Sequence, residues 1–380
     1  MNILEEIQNC PVEWKELGKV ALLKRGKTIT SKTAIDGPYP VISGGQKPAY
    51  FHGEFYREGE TITVAGSGAY AGFVMYWDEP IFVSDAFSIE PLEGALIPKF
   101  LYHYLLEKQE ILFSLKKGSG VPHVYPKDVS KILIPIPPIE IQEKIVQILD
   151  KFTDYVRELT SELTSRKKQY SYYRDNLLSF EDEVCQVEWK TIQDISVKIV
   201  TGVTPKKSCE DYYLKGTIPW LRTNEVKFNT ITTTEKYVTE RAVEETGLKW
   251  ISPNSIIIAI SGATAGRVAM NRIPLTTNQH CCSISVDERI VNYKYLYYWL
   301  VNQNRQILSL KQGARGDINM SMIKSLKLPV PSLEIQSRII QVLDNFDTVC
   351  NDLNSGLPKE IELRQKQYEY WRDRLLDFSK

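Results

Sequence analysis

Two glycine-rich segments contain residue types that bind phosphates, but neither has the required spacing. Gly66, Ser67 and Gly68 follow a β-rich run, yet they do not fit the Gly-x-Gly-x-x-Gly spacing of a dinucleotide-binding turn. Gly26-Lys27-Thr28 resembles the end of a Walker A loop, but Ala21 stands where that loop has its opening glycine. We therefore predict that both segments are structural turns.

A metal centre and a nucleophilic triad are also poorly supported. His280, Cys281 and Cys282 are metal-ligand types, but consecutive residues of a strand point to opposite faces, and no second cluster completes a tetrahedron. The four histidines form no obvious triad with the serines. The sequence therefore predicts no catalytic residue and no metal site.

Residues suited to contacting nucleic acid recur at corresponding places in the two halves of the chain. Lys and Arg bind phosphates, Arg pairs with guanine, and Asn or Gln pairs with adenine. The predicted DNA-binding residues of the first half are Lys24, Arg25, Lys27, Lys116, Lys117, Ser119 and His123. Those of the second half are Thr204, Lys206, Lys207, Arg222, Thr223, Asn224, Lys311, Gln312, Arg315 and Asn319. Alternatively, the basic loops only complement the dipoles of the helices before them.

The charge of the chain is balanced overall but unequal between its halves. The 380 residues include 47 basic and 47 acidic side chains. Residues 1–133 have 14 basic and 16 acidic side chains, a net charge of −2, whereas residues 183–327 have 19 and 13, a net charge of +6. A uniformly basic nucleic-acid coat is therefore excluded, while local contacts with phosphates are not.

The cysteines and the N-terminus indicate the compartment. Six cysteines without a Cys-x-x-Cys pair are typical of a reduced intracellular protein. The first residues lack a signal peptide, and no apolar run is long enough to span a membrane. We expect a cytoplasmic protein with no membrane contact.

An internal repeat dominates the sequence. IPIPPIEIQEKIVQILDKF (134–152) matches LPVPSLEIQSRIIQVLDNF (328–346) at ten of nineteen positions. RKKQYSYYRDNLLSF (166–180) matches RQKQYEYWRDRLLDF (364–378) at ten of fifteen, with four extra residues before the second block. The long period indicates duplication of a unit formed by one domain and one arm.

The repeated segments have helical spacing and predict two long arms. Apolar residues at steps of three and four form one face, and prolines at 135, 137 and 138 prevent an earlier helix start. About forty residues at ~1.5 Å each give a rod of roughly 60 Å, and the sequence at 355–358 predicts a kink or short break in the second arm. The predicted contact residues are Ile141, Ile145, Ile148, Phe152 and Leu159, and Ile335, Ile339, Val342 and Phe346.

The predicted fold class is α+β. Two α/β domains, residues 1–133 and 183–327, each combine short strands with one tyrosine-rich helix, at residues 100–115 and 295–310. Two helical arms, residues 134–182 and 328–380, are expected to form an antiparallel coiled coil with pseudo-two-fold symmetry. Alternatively, each arm only covers the core of its own domain.

The chain resembles the DNA specificity subunits of type I restriction-modification enzymes. The resemblance rests on the two proline-plus-EIQ…LD segments, the two arm ends and TGVTPKK…YYLKGTIPWLRTNEV at the start of the second domain, and it covers essentially the whole chain. It implies two target-recognition domains, each reading half of a split, asymmetric site in double-stranded DNA, with the coiled coil setting the gap between the halves.

The resemblance also implies partners and places the chemistry in them. Two modification subunits would dock on the arms and supply S-adenosylmethionine-dependent adenine methylation, and restriction subunits would supply ATP-driven cleavage. The chain itself would be non-catalytic and would hold no cofactor. Alternatives are a specificity subunit of a type IIB-like or other modification system, a methyltransferase or nuclease acting alone, and a coiled-coil adaptor without DNA binding.

Overall fold

Each half of the chain forms a mixed α/β domain followed by helices. The structure, a computed structural model, describes residues 3–180, 187–311 and 317–378. Packing separates two units, Met1–Ser161 with Lys359–Lys380, and Glu162–Pro358. The first unit therefore contains the beginning of the first arm and the end of the second.

The first domain is built from short strands around one helix pair. Its elements are α1 (Ile3–Asn9), β1 (Glu13–Glu16), α2 (Leu17–Val20), β2 (Ala21–Arg25), β3 (Tyr39–Ile42), β4 (Tyr50–His52), β5 (Glu60–Ala65), β6 (Val74–Asp78), β7 (Phe82–Val83), β8 (Ala86–Pro91), α3 (Pro98–Glu107), α4 (Gln109–Ser114), α5 (Pro126–Val129) and β9 (Leu133–Ile136). The strands form a four-stranded sheet in the order β2-β8-β5-β6, a three-stranded sheet in the order β4-β3-β7, and the ribbon β1-β9.

The first arm is the continuous helix α6 (Ile139–Ser179) of 41 residues. It begins directly after Pro137 and Pro138, as predicted. Of its predicted contact residues, Ile141 and Ile145 are buried in the core of the first unit, and Ile148 and Phe152 pack against that core. Leu159 is half-buried.

The second domain repeats this arrangement. Its elements are β10 (Glu188–Thr191), β11 (Ser196–Thr201), β12 (Ile218–Leu221), β13 (Asn229–Ile231), β14 (Tyr237–Val238), α7 (Glu240–Thr246), β15 (Ile256–Ala259), β16 (Val268–Asn271), β17 (Thr276–Thr277), β18 (Cys281–Val286), α8 (Tyr293–Asn302), α9 (Asn304–Ser309), α10 (Met320–Ser325) and β19 (Lys327–Val330), with short 3-10 turns at Glu210–Tyr212, Thr223–Glu225 and Gly262–Thr264. The sheets are β11-β18-β15-β16-β13, β14-β12-β17 and the ribbon β10-β19.

The tyrosine-rich segment of each domain is two helices, and the prediction of a single helix was wrong. In the first domain α3 ends at Glu107, and Lys108 has φ −87° and ψ 15° before α4 begins. Gln303 separates α8 from α9 in the same way, with φ −80° and ψ 10°. A single residue outside helical geometry is enough to turn the second segment, and residue spacing alone did not reveal it.

The second arm consists of α11 (Leu333–Asn351) and α12 (Leu357–Leu375), so the predicted interruption is a break. Asp352 stabilises the turn between the helices, because its carboxylate accepts hydrogen bonds from the Asn354 amide at 2.8 Å and from the Ser355 hydroxyl. The hydrogen bond from Ser355 is the main cause of the lowered pKa of Asp352.

The arms run antiparallel within each unit. In the second unit, Phe346 stacks on Tyr170 and Tyr173 of α6, with ring centroids 6.0 and 5.4 Å apart. In the first unit, the Arg364 guanidinium lies 5.9 Å from the centroid of the Tyr155 ring. The paired arm helices of the fold prediction are therefore confirmed.

The buried face of α11 differs from the predicted seam. Ile335 is 39% and Val342 38% exposed, whereas Ile339 is buried and Phe346 is half-buried. The buried residues of α11 are Gln336, Ile339, Ile340, Leu343 and Cys350. Because α11 packs against α8, its buried face is rotated away from Ile335 and Val342. Whether those two residues contact a partner stays a prediction.

Candidate nucleic-acid interface

A polar cleft lies at one end of the first domain, where several strands end together. Its volume is about 410 Å³, and its lining includes Arg25, Thr28, Ser43, Asp85 and His123. Backbone hydrogen bonds fix its walls, from Lys27 N to Val83 O at 2.9 Å, from Ser84 N to Ile42 O at 2.7 Å, and from Val124 N to Gly66 O at 3.0 Å. Two of the predicted DNA-binding residues, Arg25 and His123, are therefore brought together, with Lys27 adjoining them.

Gly26 has a structural role at this end of the domain. A Cβ at this position would lie 2.0 Å from the carbonyl oxygen of Ser84 and 2.5 Å from that of Val83. Only glycine permits so close an approach of two backbones. Gly202 occupies the same position in the second domain, where a Cβ would lie 1.8 Å from the Thr277 carbonyl oxygen.

The cations around the first cleft differ in how they are engaged. The Arg25 guanidinium lies 5.8 Å from the centroid of the Tyr125 ring, and the Lys27 ammonium 4.7 Å from that of Tyr56. Neither has a carboxylate within ion-pair distance in the described part of the chain. Lys24, in contrast, pairs with Glu90 at 2.5 Å, so its charge is partly compensated.

The first glycine-rich loop is a hairpin closed at its base. Lys117 and His123 exchange both backbone hydrogen bonds, at 2.9 and 2.8 Å, and Ser119 lies at the exposed tip. Lys116 donates through its ammonium to the Ala69 carbonyl at 3.0 Å. Lys117 also pairs with Asp128 at 2.6 Å, and the hydrogen bond from Lys117 lowers the pKa of that carboxyl.

The corresponding end of the second domain holds another set of predicted residues. The Thr204 hydroxyl donates to Oε1 of Gln279, and Lys206 and Lys207 are exposed. Arg222 donates to Glu235 at 2.6 Å. The Arg222 charge is therefore partly compensated, which sequence reasoning did not foresee.

The remaining predicted residues of the second domain have mixed placements. Thr223 is half-buried in a 3-10 turn, and Asn224 is exposed with its amide 3.3 Å from Glu235. Lys311 follows α9 and is half-buried, whereas Gln312 and Arg315 lie outside the described residues. Asn319 caps α10 by accepting a hydrogen bond from Ser321 N at 3.0 Å.

The cysteines of β18 are core residues. Cys281 and Cys282 are fully buried, and burial raises the pKa of both thiols, that of Cys282 to about 12. Across residues 3–180, 187–311 and 317–378, no group of three His, Cys, Asp or Glu side chains is arranged to hold a metal ion. No described helix is both long and apolar enough to cross a bilayer.

A buried glutamine joins each arm to its domain. Gln142 of α6 accepts a hydrogen bond from Ile97 N at 2.9 Å and donates to the carbonyls of Ala95 and Pro137 at 3.1 and 2.9 Å. Gln336 of α11 accepts from Asn292 N at 2.8 Å and donates to two carbonyls in the same way. The glutamine of each EIQ motif therefore forms hydrogen bonds with backbone N–H and C=O groups that precede α3 or α8.

A partly buried polar cluster forms a second connection about two helical turns further along each arm. Asp150 accepts hydrogen bonds from Lys99 at 2.6 Å and from His103 at 3.0 Å. In the second unit Asp344 accepts from Lys294 and from the Tyr298 hydroxyl, the latter at 2.6 Å. The aspartate that ends each EIQ…LD motif therefore anchors the same helix of its domain.

Sequence reasoning missed the role of these glutamines and aspartates, although a signal was present. Both lie among positions that are identical in the two arms, while the domains between the arms differ. A polar residue that is identical in two copies of an amphipathic helix indicates a buried hydrogen-bond partner in each copy. The motif that carried the resemblance is thus the structural joint that holds each domain on its arm.

Two α/β domains, each on its own stretch of paired helices and each with a polar end, define a class of modular recognition proteins. Residues 11–166 and 186–363 match the sequence profile of the type I restriction modification DNA specificity domain. The chain therefore belongs to this family.

Individual relatives agree with the family. The chain is 41% identical over 261 residues to the EcoR124I/EcoR124II specificity subunit of Escherichia coli, an alignment that spans 66% of this chain and 64% of that relative. The chain thus covers slightly less than two thirds of the E. coli protein. It is 30% identical over 397 residues to a protein of Haemophilus influenzae described as a type I restriction enzyme specificity subunit, with 98% and 97% coverage.

Solved structures share the fold at low sequence identity. The S subunit of a type I restriction-modification system from M. genitalium superposes with a TM-score of 0.67 at 18% identity, covering 98% of both chains. A chain from a study of assembly and conformational transition in the type I system superposes with a TM-score of 0.63 at 16% identity, covering 98% of this chain and all of that one. These likenesses concern the fold.

Proposed function

We propose that this chain is the non-catalytic DNA specificity subunit of a type I restriction-modification complex. Each domain would read one half of a bipartite, asymmetric site in double-stranded DNA, and the arms would set the number of unread base pairs between the halves. One observation carries the proposal: the two domains share a pattern of backbone hydrogen bonds at their polar ends but have different side chains there. Two readers of different sequences need this combination.

The proposal places the chemistry in partner subunits. Two modification subunits would dock on the duplicated arms and methylate adenine with S-adenosylmethionine, and restriction subunits would use ATP for cleavage. Support comes from the duplication, because two copies of one surface suit two copies of one partner. The relation to a protein from a type I assembly study agrees with this view.

Mapping methylated adenines tests the proposal. DNA of mixed sequence would be incubated with the purified chain, its modification subunit and S-adenosylmethionine, and methylated positions would be read by sequencing. We expect a single motif with two specified halves separated by unspecified bases. Methylation by the chain without the modification subunit would contradict the non-catalytic role. A continuous motif, or methylation without sequence preference, would contradict the two-reader arrangement.

A further inference from the structure

The two polar ends can be matched residue by residue through their backbone hydrogen bonds. Ser84 N donates to Ile42 O at 2.7 Å, and Asn278 N donates to Leu221 O at 3.1 Å, each joining the residue after the short strand β7 or β17 to the last residue of β3 or β12. Ser84 and Asn278 are therefore equivalent. The residues that follow β3 and β12, Ser43 and Arg222, are equivalent for the same reason.

A second pair of hydrogen bonds fixes the opposite wall. Val124 N donates to Gly66 O at 3.0 Å in the first domain, and Ile318 N donates to Ile260 O at 2.7 Å in the second. The neighbouring residues are therefore His123 and Tyr125, which line the cleft of the first domain, and Asp317 and Asn319 at the corresponding place in the second.

A third pair of hydrogen bonds relates Asp85, which lines the first-domain cleft, to the second domain. Gly66 N donates to Asp85 O at 3.1 Å, and Ile260 N donates to His280 O at 2.9 Å. Between Ser84 and β8 the first domain has only Asp85, whereas between Asn278 and β18 the second has Gln279 and His280. The backbone position of Asp85 is thus that of His280, and Gln279 is an additional residue before it.

These central side chains are exposed and already oriented. Asp85 lines the cleft and is exposed, and its carboxylate accepts a hydrogen bond from the Ser67 hydroxyl, which leaves other lone pairs available. The Gln279 amide accepts from Thr204 and lies 3.1 Å from Nε2 of His280, so one amide hydrogen and one oxygen lone pair stay available. Side chains held in one rotamer lose less entropy when they bind.

The chemistry of the two groups differs in a way that bases distinguish. An ionised carboxylate only accepts hydrogen bonds, so Asp85 suits the exocyclic amino group of cytosine and repels the acceptor edge of guanine. A carboxylate that faces a polyanion lowers affinity, and it is therefore better suited to selecting a base than to strengthening binding. A glutamine amide donates and accepts at once, which matches the N7 and N6 positions of adenine.

We propose that Asp85 in the first domain and Gln279 in the second are base-reading residues at corresponding ends of their domains, each of which selects one base pair of its own half-site. The inference rests on the proposed function and names determinants within it. Asp85 selects a base pair that presents cytosine N4 in the major groove, and Gln279 selects one that presents adenine N6 and N7. Arg25 adjoins Asp85 in the same cleft and binds guanine or phosphate there.

The test exchanges carboxylate and amide without changing size. Asp85→Asn and Gln279→Glu are compared in the full complex by sequencing adenines methylated in mixed-sequence DNA. Asp85→Asn is expected to lower discrimination at one position of one half-site by roughly five- to a hundredfold, and to leave the other half-site unchanged. Gln279→Glu is expected to do the same in the opposite half-site.

Matched controls carry the same chemical change at the other end of each sheet. Asp78 is the last residue of β6 and pairs with Glu60, the first residue of β5. It therefore lies at the opposite end of the sheet from Gly66, which follows the last residue of β5. Gln193 precedes β11 and Gly202 follows it, so Gln193 lies at the end of that strand away from the polar end of the second domain. Asp78→Asn and Gln193→Glu are expected to leave the motif unchanged.

The possible failures can be told apart. If the wild-type complex yields no bipartite motif, the proposed function fails. If the wild type yields a bipartite motif and Asp85→Asn and Gln279→Glu reproduce it unchanged, the proposed function stands and the base-reading assignment is overturned. Equal loss of methylation at all sites, with the motif unaltered, would show that the two side chains bind phosphate or support the fold, and would also overturn it.

Discussion

Nε2 of His103 lies 3.0 Å from a carboxylate oxygen of Asp150, joining the first domain to its arm helix. Because a carboxylate only accepts, Nε2 carries the proton, and Nδ1 of the neutral ring accepts from the Tyr368 hydroxyl at 2.9 Å. Burial lowers the pKa of His103, and the hydrogen bond that His103 donates to Asp150 opposes that effect without cancelling it. Burial tends to raise the pKa of Asp150, but hydrogen bonds from His103 and Lys99 leave it lowered.

This arrangement predicts that the first unit loses stability in mild acid. The unfolded chain protonates His103 as the pH falls through about 6.5, whereas the folded chain resists protonation because its histidine pKa is lower. The contribution is therefore complete above pH 6.5 and decreases below it, by at most about 1.4 kcal/mol per pH unit. Thermal unfolding between about pH 8 and pH 5 measures this slope.

His103→Tyr is the matched variant, since Tyr298 already occupies the equivalent place beside Asp344 in the second unit. We expect the variant to keep a hydrogen bond to Asp150 and to lose the pH-dependent component. The groups around the imidazole, Lys99, Asp150, Tyr368 and Arg372, stay the same in both proteins. An identical pH slope in the variant and the wild type would assign the acid sensitivity to other groups.

The hydrogen bonds of Gln142 between the arm and the first domain predict that a single substitution lowers stability strongly. Gln142→Ala removes three buried hydrogen bonds and leaves the Ile97 amide without its partner, which should cost about 2–4 kcal/mol in the free energy of unfolding. Gln147 is exposed on the same helix, and Gln147→Ala should change the free energy of unfolding by less than about 0.5 kcal/mol. Urea unfolding compares the two, and equal effects would refute the role of the joint.

The break in the second arm predicts a specific requirement for glycine. A Cβ on Gly356 would lie 2.5 Å from the carbonyl oxygen of Thr348 and 2.8 Å from that of Asp352, so backbone must shift to accept it. Gly356→Ala should lower the free energy of unfolding by about 1–3 kcal/mol. No heavy atom lies within 4 Å of a Cβ built on Gly120, and Gly120→Ala is the control. Equal thermal midpoints in the two variants would show that the turn relaxes freely.

The two glycine-rich loops predict modular reading. Replacing residues 116–126 by residues 311–320 should alter only the half-site read by the first domain, because the loop is closed on itself by the Lys117–His123 backbone bonds. Methylation mapping of the exchanged complex measures both half-sites in one experiment. Loss of both half-sites, in a complex that still assembles, would contradict independent reading.

The order of domains and arm helices could be predicted from the sequence because it depends on the internal repeat and on the spacing of apolar residues and prolines. Prolines at 137 and 138 placed the start of α6, and the glycine and proline near 356–358 placed the break between α11 and α12. The exposure of Ile335 and Val342 was not accessible, because it depends on which side of α11 meets α8. Amphipathic spacing gives the width of an apolar face, whereas its orientation is decided by packing.

The candidate site was predictable only in part. Arg25, His123 and Thr204 were identified from residue type and lie at the polar ends, but Asp85 and Gln279 were not. Acidic and amide residues in loops are common, and only the backbone pairing of distant strands shows that these two lie at corresponding ends of their domains. Conversely, the ion pair of Lys24 with Glu90 and that of Arg222 with Glu235 join residues too far apart in sequence for a motif to reveal them.

The close approach of backbone at Gly26 and Gly202 bears on how such a protein can change over generations. The polar ends of both domains are held by hydrogen bonds between main-chain atoms, which do not depend on the side chains that the same residues carry. Substitution at Asp85, Gln279 or their exposed neighbours therefore costs the fold little, since stability resides elsewhere. A lineage could acquire a new target by single codon changes while its scaffold, and every partner that grips the scaffold, stays as it was.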